Sequence, residues 1–135
     1  MELDRALRIA AAGMDAQTSR LRVVAENLAN RDTTSEIAGG DPFRRKTVTF
    51  ANRFDRALGA NTLRVARVGT TKGDFPTRFD PNHPAANEQG YVKTPNVNST
   101  IEVMDMREAQ RSYTANLSVL EVTRGMLTRT IEAMR

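Results

Sequence analysis

The chain has 135 residues, a net charge of +4, 39% hydrophobic residues and no cysteine or tryptophan. That length allows one ordinary domain, or a small domain with an extended arm. The absence of cysteine excludes a disulfide framework and thiolate metal sites, and no run approaches the ~18 apolar residues of a membrane span. Leu, Ile, Val and Phe make up only about a fifth of the chain, near the border of intrinsic disorder. A large self-sufficient core is not expected, so partner chains should cover part of the apolar surface.

The first predicted element is a long helix. Steps of four and three from Leu3 give Leu7, Ala10, Met14, Gln17, Leu21, Val24 and Leu28, with only Gln17 polar. This is a seam for packing against another helix. Residues 1–5 lack the basic and apolar regions of a Sec signal peptide, so any export is expected to proceed without a cleaved signal. Where the helix runs out, two asparagines stand three apart, Asn27 and Asn30, around Leu28 and Ala29. Asparagine disfavours helix interiors because its amide competes for backbone hydrogen bonds. Asn30 can end the helix in a left-handed conformation, with Asp32, Thr33 and Thr34 closing turns after it. Asn27 has no such explanation. Its amide has two donors and an acceptor for a packed neighbour.

The centre reads as a small β-rich insertion. All five prolines and six of the eight glycines fall between residues 39 and 95. Lys46–Phe50 and Thr62–Val65 alternate as short strands, with Phe75–Phe79 and Tyr91–Thr94 as weaker candidates. Asn52–Leu58, with Phe54 and Leu58 four apart, fits one or two helical turns as an alternative. Residues 79–90 form a long loop, because Pro81 and Pro84 break any ladder. A second long helix is expected from Ser99, whose spacing to Glu102 is that of a capping box. Its seam is Val103, Met106, Gln110, Tyr113, Leu117, Leu120, Arg124, Leu127, Ile131 and Met134. The expected fold is therefore α+β. The N- and C-terminal helices pair as a coiled-coil hairpin, and a small β-rich region lies between them. The divisions are 1–35, 36–98 and 99–135.

Charge is unevenly spread. Residues 1–40 sum to −1 and residues 99–135 to zero, which leaves +5 in the middle segment. A solvated basic surface and a phosphate-binding patch both fit that segment. The alternative function it raises is a small basic nucleic-acid-binding module dimerised by its helical hairpin. The tightest cluster, Arg44-Arg45-Lys46, is shorter than the usual basic runs of such patches. Chemistry has little to stand on. His83 is the single histidine, set between Asn82 and Pro84, and zinc sites need three or four ligands. Ser19, Ser35, Ser99, Ser112 and Ser118 lack a nucleophile-elbow context, and Asp74 with Asp80 lacks an apolar setting. No catalytic residue, cofactor, metal or small-molecule substrate is expected.

Residues 25–33, Ala-Glu-Asn-Leu-Ala-Asn-Arg-Asp-Thr, resemble the A-x-N-L-A-N-x-x-T motif that follows the first helix of bacterial flagellar axial proteins, those of the rod and hook. Further stretches are similar to the proximal rod subunits of that family. They are Gly39–Lys46, Asp80–Asn98 and Met104–Leu117, in order along nearly the whole chain. The resemblance implies a structural subunit of the basal-body rod, a hollow shaft in the periplasm, exported by the flagellar type III apparatus. The implied partners are further copies of the chain, rod proteins of the FlgB, FlgF, FlgG and FliE types, and the export apparatus. Nucleic acid and a lipid-spanning segment are not implied. Carried onto this sequence, the assembly motif is Asn27, Leu28, Ala29, Asn30 and Thr33, set against a neighbouring subunit. The outer-domain signature is Asp41, Pro42, Arg44, Arg45, Lys46, Asp80, Pro81, His83, Pro84, Asn87, Gly90, Tyr91, Pro95 and Asn96.

Overall fold

A computed structural model describes residues 2–135. Helix α1 spans Glu2–Ala29 and helix α2 spans Ser99–Ala133. At ~1.5 Å per residue they are about 42 and 52 Å long. They run antiparallel. Asn27 meets Glu102, Arg20 meets Asp105 and Glu108, and Gly13 meets Asn116, so facing positions sum to about 129. On that register Glu2 lies opposite about residue 127, and the last turns of α2 project past α1.

The expected seam is displaced on α2. The close-contact positions are Glu102, Ala109, Asn116 and Thr123, seven residues apart, each one position before the expected Val103, Gln110, Leu117 and Arg124. Across from them lie Ala10, Gly13, Ala16, Gln17, Val23, Val24 and Asn27. The expected Leu3, Leu7, Met14, Leu21 and Leu28 flank this line half-buried, as do Met106, Tyr113, Leu117, Leu120 and Leu127. Val103, Ile131 and Met134 are exposed, the last two where no α1 residue faces them. The physical reason is distance. Small side chains let the backbones approach, and a β-carbon added at Gly13 would stand 2.8 Å from Nδ2 of Asn116. Bulky side chains are then forced to the flanks.

The cap of α2 also differs from expectation. Asn98, not Ser99, is the N-cap, and its Oδ1 accepts from the N–H groups of Thr100 at 3.0 Å and Ile101 at 3.4 Å. Glu102 does not fold back to close a capping box, because its carboxylate is engaged elsewhere.

Strands β1 (Lys46–Asp55) and β2 (Ala60–Thr70) form an antiparallel hairpin. Partners jump from Thr49↔Arg67 to Phe50↔Val65, so Ala66 is an extra, bulged residue. The helical alternative for 52–58 is overturned. Oδ1 of Asp55 accepts from Ala57 N and Leu58 N, and Gly59 closes the turn at φ +64°. These local bonds favour a hairpin turn over a helix. The hairpin runs back along α1, from Lys46 beside Asn27 to Gly59 near the guanidinium of Arg5.

Strands β3 (Thr77–Phe79) and β4 (Tyr91–Lys93) make a second, short antiparallel pair. Phe79 and Tyr91 meet edge to face at 5.3 Å. Buried Ala85, Val92, Pro42 and Pro95 centre this lobe. Among the described residues the fully buried hydrophobic set is Ala10, Ala16, Val23, Val24, Ala85, Val92 and Ala109. It contains no Leu, Ile, Met or aromatic residue, so the core is as thin as the composition suggests.

Candidate functional site

Three elements converge at the end of α1. Nδ2 of Asn27 donates to the carbonyl of Lys46 at 2.9 Å, and its Oδ1 accepts from the N–H of Lys46, also at 2.9 Å. The side-chain amide thus pairs with β1 as a neighbouring strand residue would. The second hydrogen of Nδ2 reaches Oε2 of Glu102 at 3.3 Å. Asn27 is 1% exposed and its amide is fully engaged within the chain. The neighbour expected for Asn27 is therefore β1 and α2 of the same chain, not a second subunit.

Glu102 is buried completely, and Arg45 faces it. Nε of Arg45 donates to Oε1 of Glu102, while Nη2 lies 3.3 Å from Oδ2 of Asp105. Asp105 is also approached by Arg20 at 3.6 Å, and Arg20 reaches Glu108 at 3.4 Å. A buried carboxylate is tolerable only with such partners. The backbone N–H of Arg45 donates to Oδ1 of Asn96 at 2.8 Å, which ties the segment leading into α2 to the residue before β1. Lys46 completes the node through Nζ to Glu26 at 2.7 Å. Asn27, Arg45, Lys46 and Asn96 from the sequence analysis are thus brought together.

Asn30 ends the helix differently from expectation. Among the described residues no non-glycine residue has a positive φ, so Asn30 is not left-handed. Its Nδ2 donates back to the carbonyl of Glu26 at 2.9 Å, and its Oδ1 accepts from Oγ1 of Thr33 at 3.1 Å. The Glu26 carbonyl also accepts from the backbone N–H of Asn30 at 3.0 Å, so the side chain reinforces the last helical bond and no strained backbone is needed. Leu28 is half-buried and Ala29 exposed.

Arg44 sits one residue from the node but works outward. It donates to the carbonyls of Thr71 and Gly73, both at 2.9 Å, and stacks 4.2 Å over the ring of Phe75. The remaining signature residues form the separate β3–β4 lobe. Oδ1 of Asn87 accepts from Gln89 N and Tyr91 N, Nδ1 of His83 accepts from Ala85 N, and Asp80 N donates to the carbonyl of Gly90. Pro81 packs near Gly90, and Pro84 is exposed beside His83. Asp41 meets Lys93 at 3.2 Å, which links the lobe to the chain after α1. His83 therefore acts as a turn acceptor. Among the described residues no three His, Cys, Asp or Glu side chains are grouped to hold a metal, and no helix is long and apolar enough to cross a membrane.

Sequence reasoning missed Glu102, Glu26, Asp105 and Arg20. A signal for Glu102 existed in its seven-residue spacing to Ala109 and Asn116, but an acid is not sought on a helix seam. The arrangement bonds its members to one another and fixes how two helices and a hairpin meet.

The family model for the flagella basal body rod protein matches residues 7–35, and the model for the flagellar basal body rod FlgEFG protein C-terminal matches residues 88–133. Flagellar basal-body rod protein FlgC of Agrobacterium fabrum is 47% identical over 98% of this chain and 96% of its own length. The FlgC of Salmonella typhimurium is 38% identical over 91% of each chain. The FlgC of Bacillus subtilis is 35% identical over 93% of this chain and 94% of its own. With its α+β fold, its paired terminal helices and this likeness along nearly its whole length, the chain belongs to the FlgC family of flagellar basal-body rod proteins.

Proposed function

We propose that this protein is a structural subunit of the proximal rod of the bacterial flagellar basal body, exported by the flagellar type III apparatus without a cleaved signal. The observation that carries the reading is the 47% identity with a basal-body rod protein across 98% of the chain. The geometry supports it. Helix α2 leaves Ile101, Met104, Val119, Val122, Met126, Ile131 and Met134 exposed. On a 3.6-residue helix, Met104, Val119, Val122 and Met126 share one stripe, to one side of the line that packs on α1. A lone chain leaves that stripe in water, and packing of neighbouring subunits in a helical tube would bury it.

In this reading 1–35 and 99–135 form the inner domain and 36–98 the outer one, with rod proteins of other types as axial neighbours. Asn27, Arg45 and Glu102 hold the two parts at a fixed angle, as a shaft transmitting torque requires. The role is structural, not catalytic. Deletion of the gene is expected to abolish swimming and leave basal bodies without a rod, and a plasmid copy should restore both. Normal swimming of the deletion strain would overturn the reading.

A further inference from the structure

The net charge of the whole protein is concentrated on one element. Residues 1–40 sum to −1, 41–45 to +1, 71–98 to zero and 99–135 to zero. The β1–β2 hairpin holds Lys46, Arg53, Arg56, Arg64 and Arg67 against Asp55 alone, which is +4. Lys46 is neutralised by Glu26. The four arginines are exposed, and among the described residues none forms an ion pair.

Their placement is unfavourable for a lone chain. Arg53 pairs with Thr62, and Arg64 stands two residues further on the same strand, so Arg53 and Arg64 are diagonal neighbours on one face. Like charges so placed repel. Together with Phe54, Asp55, Arg56 and Thr62 they line one open groove. Phe54 is 59% exposed beside them.

Arginine beside an exposed aromatic, without lysine at the tip, is the composition of protein interface cores, where Arg and Phe are enriched and Lys depleted. The planar guanidinium meets a carboxylate through two parallel hydrogen bonds. A second copy of this chain offers no strongly acidic segment as the counter-charge. Its terminal segments are neutral within one unit, and its own hairpin is equally basic.

We propose that the β1–β2 hairpin docks a carboxylate-rich surface on a different protein, with Arg53, Arg56 and Arg64 as the contacting cations and Phe54 as the covered aromatic. The proposal deepens the rod-subunit reading, on which only its cellular arm rests.

Binding of the full chain is measured to poly-L-glutamate, to phosphatidylglycerol–phosphatidylcholine vesicles and to a DNA duplex. The triple variant Arg53→Gln/Arg56→Gln/Arg64→Gln is compared with a variant of equal charge loss on α2, Arg107→Gln/Arg111→Gln/Arg129→Gln. The hairpin variant is expected to keep the parent's helicity and to bind poly-L-glutamate about 10-fold more weakly, while the α2 variant binds as the parent. Equal weakening of both variants, or parent binding to vesicles or DNA without binding to poly-L-glutamate, overturns the proposal. In cells, Arg53→Glu/Arg56→Glu/Arg64→Glu should abolish swimming. Asp or Glu to Lys substitutions in a second protein should restore it. Parental swimming of the reversal variant, or suppressors confined to this chain, overturns the docking while leaving the rod reading intact. Normal swimming of the deletion strain instead removes the rod reading, and the poly-L-glutamate arm still decides the docking.

Discussion

The joint at the end of α1 and the far half of α2 are built on opposite rules. At the joint, Asn27, Arg45, Lys46, Asn96 and Glu102 bond to one another, and the carboxylate of Glu102 is wholly buried. Toward the end of α2, Val119, Val122, Met126 and Ile131 stand in solvent. One end satisfies itself with polar groups. The other is apolar and unsatisfied until something packs on it. The contrast teaches where rigidity comes from in a chain with so small a core. Directional bonds set an angle inside the chain, and non-directional apolar surface is left uncovered on its far end.

Substitutions can break this contrast in order of expected effect. Arg45→Ala leaves the carboxylate of Glu102 buried without its cation, and it should lower stability by ~3–5 kcal/mol, read as a reduced urea midpoint of the isolated chain. An unchanged midpoint would mean that the joint does not hold the fold. Asn27→Leu removes both bonds to Lys46 and should cost about 2 kcal/mol in the same melt, with loss of swimming. Asn27→Asp keeps the acceptor but loses the donors, and it places a second carboxylate against Glu102, so it should not rescue. Val119→Ser/Val122→Ser should change the isolated chain's melt by less than ~0.5 kcal/mol. The same variant should sharply reduce the amount of chain in purified basal bodies. A large drop in isolated-chain stability would show that this face is already packed within the subunit.

Much of the architecture is legible in the sequence. The two helices follow from 3.6-residue periodicity flanking a proline- and glycine-rich centre, and the strands from alternation at Lys46–Phe50 and Thr62–Val65. The apolar periodicity of α2 points one residue away from the true seam, because it follows side-chain size. The contact is instead governed by close approach at Gly13, Ala16 and Ala109, with Glu102 and Asn116 tolerated by their bonds. Asn52–Leu58 was ambiguous for a similar reason. Phe54 and Leu58 share helical spacing, and only Asp55 and Gly59 together commit the chain to a hairpin turn.

At the site, Asn27 stood out because an amide inside an amphipathic helix is out of place. Its partner was not visible. Lys46 is 19 residues on and Glu102 is 75 residues on, and no local rule connects them.

By itself, then, the sequence determined the order of the elements, the thin core and the basic middle, because composition and periodicity are properties of neighbours along the chain, while the likeness to flagellar rod proteins rests on its motifs, Ala25–Thr33 first among them. Tertiary structure alone decided the helix register, the inward turn of Asn27 and the burial of Glu102 beside Arg45. Those depend on which distant groups can satisfy one another once water is excluded, and only the closed fold sets that pairing.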